Sequence, residues 1–157
     1  MDLFQNFPLW AALTAICFTQ AIKMLLHWLA LREWNWQLLI STGGMPSSHS
    51  AAVVALTTAI GIQEGLQSPL FAISAIFSVI TMFDAAGVRR HAGAHAAILN
   101  QLLEELKDIS EIDWSRHPEK GQEKLKELLG HKPAEVFAGG WLGLFTALAV
   151  QAWWAPF

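Results

Sequence analysis

A short polar stretch, STGGMPSSHSA at residues 41–51, separates two strongly apolar segments of the chain. Gly43 and Gly44 allow tight backbone turns because they carry no Cβ atom. Pro46 suits the first position of a helix, because a backbone N–H at that position would have no acceptor within the helix. The stretch therefore predicts a glycine loop that runs into the start of a helix.

The predicted helix start has the properties of an anion site. Ser47 and Ser48 can cap or line it, and the free N–H groups and partial positive charge of a helix N-terminus favour a phosphate. His49 lies just inside this start and can exchange a proton with whatever the anion is attached to. The structural alternative is a plain N-capped helix whose histidine has no chemical role.

The composition indicates a membrane protein with a single domain over residues 1–157. Hydrophobic residues make up 54% of the chain and charged residues 15%, against about 25% charged in a typical globular chain. The net charge of −3 averages unlike regions and favours no nucleic-acid partner. Most tryptophans lie near the ends of apolar runs, as interface anchors do. They are Trp10, Trp28, Trp34, Trp36, Trp141, Trp153 and Trp154.

The lone cysteine, Cys17, excludes an intrachain disulfide and a cysteine metal cluster. Because it lies in an apolar run, we expect a buried, inert thiol. The N-terminus has no basic region and no clear cleavage site, so the first apolar run is interpreted as a retained helix.

The apolar pattern predicts an all-α membrane bundle of about four transmembrane helices, at residues 8–31, 46–63, 69–88 and 133–154. A polar insert, residues 89–132, precedes the last span. Its segment Ala94–Ile109 predicts an amphipathic helix on the membrane surface or against the bundle, because apolar residues recur at helical spacing. These are Ile98, Leu102, Leu106 and Ile109. A loop over Ile112–Lys120 and a short helix over Glu123–Leu129, stopped by Gly130, are predicted to follow.

The basic residues lie on one predicted side of the membrane, while Asp2 and Glu64 are the side-chain charges expected on the other. The positive-inside rule then places the charged face in the cytoplasm and both termini outside, for a bacterial inner membrane.

Polar residues from all four spans are predicted to meet at this charged face. Successive spans alternate in direction, so the end of the first, the start of the second, the end of the third and the start of the fourth share one level. Intramembrane polar residues are functional suspects by default. Those concerned are Lys23, His27, His49, Asp84, Arg89, Arg90, His131 and Glu135.

Several of these residues also have structural interpretations. Lys23 can snorkel to the interface, Asp84 can pair with Arg89, and the arginines can serve as positive-inside anchors. His27 is interpreted as a packed or interfacial histidine.

Three motifs together resemble one protein family. GMPSSHSA at residues 44–51 resembles the Pro-Ser-Gly-His motif of the type 2 phosphatidic acid phosphatase and vanadium haloperoxidase superfamily. HKPAEVFAG at residues 131–139 is similar to its His-x-x-x-Asp-Val-x-Ala-Gly motif, and DAAGVRRHAG at residues 84–93 is similar to a signature of its small divergent branch. The chain differs in having Glu135 for aspartate, Ser48 for glycine, and Lys124 and Leu125 for a Ser-Arg pair.

The resemblance implies a membrane phosphatase that needs no metal or cofactor and is inhibited by vanadate as a phosphate mimic. His131 would attack phosphorus, and Glu135 would orient the His131 ring. His49 would act as general acid and then as general base. The implied phosphate-binding groups are Lys23, Gly44, Ser47, Ser48, Arg89 and Arg90, with possible support from Asp84 and Arg32.

The implied substrate is a lipid phosphate monoester or a polyprenyl (pyro)phosphate in the bilayer, and a homodimer is plausible. A catalytically inactive protein that binds anionic lipid or assists assembly is the main alternative. Weaker alternatives are a metal site or ion pathway that uses His27, His49, His131 and Asp84, and an intramembrane protease that uses Ser48.

Overall fold

The computed structural model describes residues 3–34, 36, 44–109, 125 and 130–154. In this part of the chain a 3-10 helix is followed by five α-helices, and there is no strand, which confirms the predicted all-α class. The 3-10 helix spans Leu3–Gln5, and the α-helices are α1 (Phe7–Leu31), α2 (Ser48–Glu64), α3 (Pro69–Ala86), α4 (Val88–Ile109) and α5 (Pro133–Trp154).

Three helical stretches among the described residues are long and apolar enough to cross a membrane: α1, the run Pro69–Leu106, and α5. The second predicted span corresponds to α2, which has 17 residues and is not one of the three; its crossing stays a prediction. α2 is instead the centre of the fold, because it packs against α1, α3 and α5. The protein is an integral membrane helical bundle organised around α2.

The α2–α5 contact depends on small residues. Gly139 of α5 lies against the Ser47 carbonyl, and Gly143, one turn later, lies against the Ala51 carbonyl. Such small-residue spacing allows two membrane helices to approach with their backbones nearly in contact. This close approach brings the start of α5 directly beside the start of α2.

Hydroxyl groups join α2 to α3. The Thr57 hydroxyl donates to the Ser74 carbonyl at 3.0 Å and lies 2.7 Å from the Ser78 hydroxyl oxygen. The Ser78 hydroxyl donates to the Val53 carbonyl at 2.9 Å. Hydrogen bonds between membrane helices are modest in strength but fix the rotation of one helix against the other.

We expect Ser78→Ala to lower the free energy of unfolding by about 1 kcal/mol, because it removes the bond from α3 to Val53 and the contact with Thr57. The measurement is reversible unfolding of the purified chain in mixed detergent. Thr81→Ala is the matched control, since the Thr81 hydroxyl donates within its own helix to the Phe77 carbonyl. Equal stability of the two variants would contradict a role for this inter-helix network.

Three local expectations are wrong. α2 begins at Ser48 with Ser47 as its N-cap, so Pro46 precedes the helix instead of opening it. The amphipathic helix exists, but it begins at Val88 because Gly87 alone separates it from α3. Cys17 is exposed, since the buried positions of α1 recur every four residues at Ala15 and Thr19 and leave Cys17 on the opposite face.

The outward side chains of α4 include Ile98, Leu102 and Leu106, so its apolar face does not pack on the bundle. The side chain of Ile109 lies outside the described residues. So do the predicted loop Ile112–Lys120 and, apart from Leu125, the predicted short helix Glu123–Leu129.

Candidate active site

The start of α2, the end of α3 and the start of α5 meet at one end of the bundle, as the alternating direction of the spans predicts for these three. The backbone N–H of Ser47 donates to the Glu135 carbonyl at 3.1 Å, and that of His131 donates to the Ala85 carbonyl at 2.9 Å. These bonds join the start of α2 to the start of α5, and the residues just before α5 to the end of α3. Lys23 of α1 lies about two turns before the end of that helix, buried beside Gly44.

His131 is held by Glu135 through one ring nitrogen. The His131 Nδ1 lies 3.0 Å from the Glu135 Oε2, and the same oxygen accepts the backbone N–H of Lys132 at 3.1 Å. Because Glu135 lies in the first turn of α5, the helix dipole favours its negative charge. The His131 side chain is buried, and its Nε2 has no hydrogen-bond partner among the described residues. The imidazole is therefore oriented, with its second nitrogen left uncommitted.

His49, near the start of α2, lies beside the His131 ring. Its ring centroid lies 6.4 Å from that of His131, and both histidines line a small pocket closed by α3 and the start of α4. The other lining residues are Thr81, Asp84, Ala85 and Arg89. The sequence interpretation missed Thr81, although it lies three residues before Asp84 and hence on the same face of α3.

Asp84 and Arg89 form an ion pair across the break between α3 and α4. The Arg89 Nε donates to the Asp84 Oδ2 at 2.6 Å, and both side chains are partly exposed. This confirms the pairing that was weighed as a structural interpretation of Asp84. Arg89 nevertheless remains a cation in the wall of the histidine pocket.

Lys23 does not snorkel to the surface. Its side chain is 3% exposed, and its Nζ has no hydrogen-bond partner in the described part of the chain. It lies beside Gly44, where a Cβ would be 3.8 Å from the lysine Cδ and where φ is +89°. Gly44 thus has the left-handed conformation that glycine favours, whereas Gly43 lies outside the described residues.

Of the predicted phosphate-binding residues, only Arg89 is among the described residues that line the pocket, and Lys23 and Gly44 are not. Ser47 is fully buried, and its hydroxyl oxygen accepts bonds from the N–H and the hydroxyl of Ser50. Ser48 is also buried. The backbone of Arg90 lies against Gly130, and Arg32 stacks over the Trp28 ring at 5.2 Å, nine residues beyond Lys23. Their phosphate contacts stay predictions.

The described residues contain no group of three or more His, Cys, Asp or Glu side chains that could hold a metal ion. His27 lies one turn beyond Lys23 on α1 and does not line the histidine pocket.

The helical membrane fold agrees with the fold that the three motifs imply, and in it His131 lies within hydrogen-bond distance of Glu135 and beside His49. The chain belongs to the Divergent PAP2 family, whose model matches residues 4–146. It is 52% identical over 153 residues to "Uncharacterized membrane protein YuiD" of Bacillus subtilis (strain 168), an alignment that covers 96% of this chain and 97% of that protein. No solved structure matches the chain. The predicted relationship to the divergent branch of the superfamily is thus confirmed.

Proposed function

We propose that this protein is a membrane-embedded phosphatase that hydrolyses a lipid phosphate monoester or a polyprenyl (pyro)phosphate through a phosphohistidine at His131. One observation carries the proposal. The Nδ1 of His131 is bound by Glu135, while its Nε2 has no partner among the described residues and the ring lines a pocket shared with His49.

In the first step, the His131 Nε2 attacks phosphorus and the bond from phosphorus to the leaving oxygen breaks. His49 gives its proton to the departing oxygen, so that a monoester releases an alcohol and a pyrophosphate releases the polyprenyl monophosphate. The positive charge that develops on His131 is stabilised by the Glu135 carboxylate at Nδ1, the role that the acid plays in a catalytic triad.

In the second step, His49 takes a proton from a water molecule, and the resulting hydroxide attacks the phosphorus of the phosphohistidine. The bond from phosphorus to Nε2 breaks, inorganic phosphate leaves, and neutral His131 is restored. Arg89 and Lys23 balance the charge on the non-bridging oxygens. The proposal assigns this task to protein cations, so it requires no metal ion, and vanadate is expected to inhibit.

The location of the pocket favours a substrate that is itself a lipid. The pocket lies just before the start of α5 and along the run Pro69–Leu106, two of the stretches that are long and apolar enough to cross a membrane. A phosphate head can enter at this level while its hydrocarbon tail stays in the bilayer. The excess of Lys and Arg on this side favours a cytoplasmic site in a bacterial inner membrane.

The test is phosphate release by the purified full chain in detergent, with EDTA present, from a panel of lipid and polyprenyl phosphates. We expect release that is lost in both His49→Ala and His131→Ala. Silence across the panel from a folded protein would instead favour a lipid-binding or assembly role on an inactive scaffold.

A further inference from the structure

The candidate site contains as many carboxylates as cations. Arg89 is paired with Asp84, and Lys23 is close enough to Glu135 for their charges to interact. The formal charges of these two cations and two carboxylates cancel before any anion binds.

Asp84 and Arg89 both line the histidine pocket. The Asp84 carboxylate accepts a charge-assisted hydrogen bond from the Arg89 Nε, which is the kind of bond that a phosphate oxygen would form with the same guanidinium. The bond occupies the Nε–H of Arg89, so a phosphate that binds this edge of the guanidinium must compete with a carboxylate that is already attached to the protein.

We propose that Asp84 is an affinity-determining residue, a built-in competitor that occupies the Nε edge of Arg89 until a phosphoryl group displaces it. This inference rests on the proposed function for its biological meaning. It concerns regulation of the same site, because the Asp84 carboxylate would determine how long phosphate stays bound there.

Asp84 weakens the charged contact of both substrate and product, but the product depends on that contact more than the substrate does. A lipid phosphate is retained by its tail in the bilayer as well as by its charge, whereas inorganic phosphate is retained by charge alone. Weakening the charged contact therefore promotes release of inorganic phosphate while the substrate remains concentrated at the site. Asp84 would thus limit product inhibition.

A purely structural role makes the opposite prediction. Asp84 and Arg89 flank Gly87, so the pair could act only to fix α4 against α3. In that case removal of the carboxylate would leave Arg89 less ordered, and phosphate would bind more weakly or unchanged.

The experiment is calorimetric titration of inorganic phosphate and of vanadate into the purified full chain in detergent. Because a partly exposed ion pair is weak, we expect Asp84→Asn to bind both anions about fivefold more tightly. Asp84→Ser is a second variant without the charge and should show the same change. Asp84→Glu keeps the carboxylate and should stay within about twofold of the original chain.

Glu64→Gln, which removes an exposed carboxylate at the opposite end of α2, is the matched control and should leave anion affinity unchanged. Unchanged or weaker binding in both Asp84→Asn and Asp84→Ser would overturn the proposal, as would a failure of every variant to bind either anion. Tighter binding without any lipid phosphate hydrolysis would support the competitor and overturn the proposed function. Lipid phosphate hydrolysis with unchanged anion affinity in the Asp84 variants would support the proposed function and overturn the competitor.

Discussion

Replacing His131 by alanine is expected to abolish phosphate release while leaving the bundle folded. The variant loses the attacking Nε2, and removal of a nucleophile typically lowers turnover by about a thousandfold or more. The fold should persist because the bond from residue 131 to the Ala85 carbonyl comes from the backbone N–H. The measurement is the initial rate of phosphate release, taken together with the thermal stability of each variant.

Glu135→Gln should reduce the rate less severely, by about tenfold to a hundredfold, as for other groups that orient a reactive side chain. The amide oxygen can still accept a hydrogen bond from Nδ1–H, but it lacks the charge that stabilises the imidazolium. Lys132→Ala is the matched control, since its side chain is exposed and its backbone bond to Glu135 is retained. Wild-type release from His131→Ala would remove the covalent mechanism.

Replacing Gly143 by alanine is expected to disrupt the bundle. The added methyl group would overlap the Ala51 carbonyl of α2, and neither backbone can move away without separating the central helix from α5. We expect a loss of about 3 kcal/mol or more, at the upper end of overpacking effects, because the obstacle is backbone and not a flexible side chain. The measurement is unfolding of the purified chain in mixed detergent.

Gly140→Ala provides the matched control on the same helix. A methyl group there would lie 3.6 Å from Val54 Cγ2 and 3.8 Å from Met82 Cε, which is ordinary van der Waals contact. Its stability should remain within about 1 kcal/mol of the original chain. Similar stability of the two alanine variants would show that α2 and α5 do not approach as closely as described.

The meeting of the ends of α2, α3 and α5 could be predicted from the sequence because it depends only on where the apolar runs start and stop. The contact between His131 and Glu135 is also local, but it does not come from one helix face, because His131 precedes α5 and Glu135 in the first turn reaches back to it. Both features are local or follow from the reversal of successive spans.

The rest depends on how each helix is rotated and how closely helices pack, which residue spacing alone does not determine. Hydropathy gave Cys17 an apolar setting but could not tell a lipid-facing position from a core position. The arginines near the span ends were equivalent in sequence. In the structure, Arg89 lies in the pocket wall while Arg32 stacks on Trp28 beyond the end of α1.

The most direct measurement is detection of a phosphoenzyme in the His49→Ala variant. With an aryl phosphate, whose leaving group departs without protonation, His131 should still be phosphorylated, but water would not be activated to release the phosphate. We predict an acid-labile, base-stable phosphoryl group that mass spectrometry locates on His131. It should be absent from His49→Ala/His131→Ala. If the His49→Ala protein carries no phosphoryl group but still hydrolyses the aryl phosphate, the result would contradict the phosphohistidine mechanism.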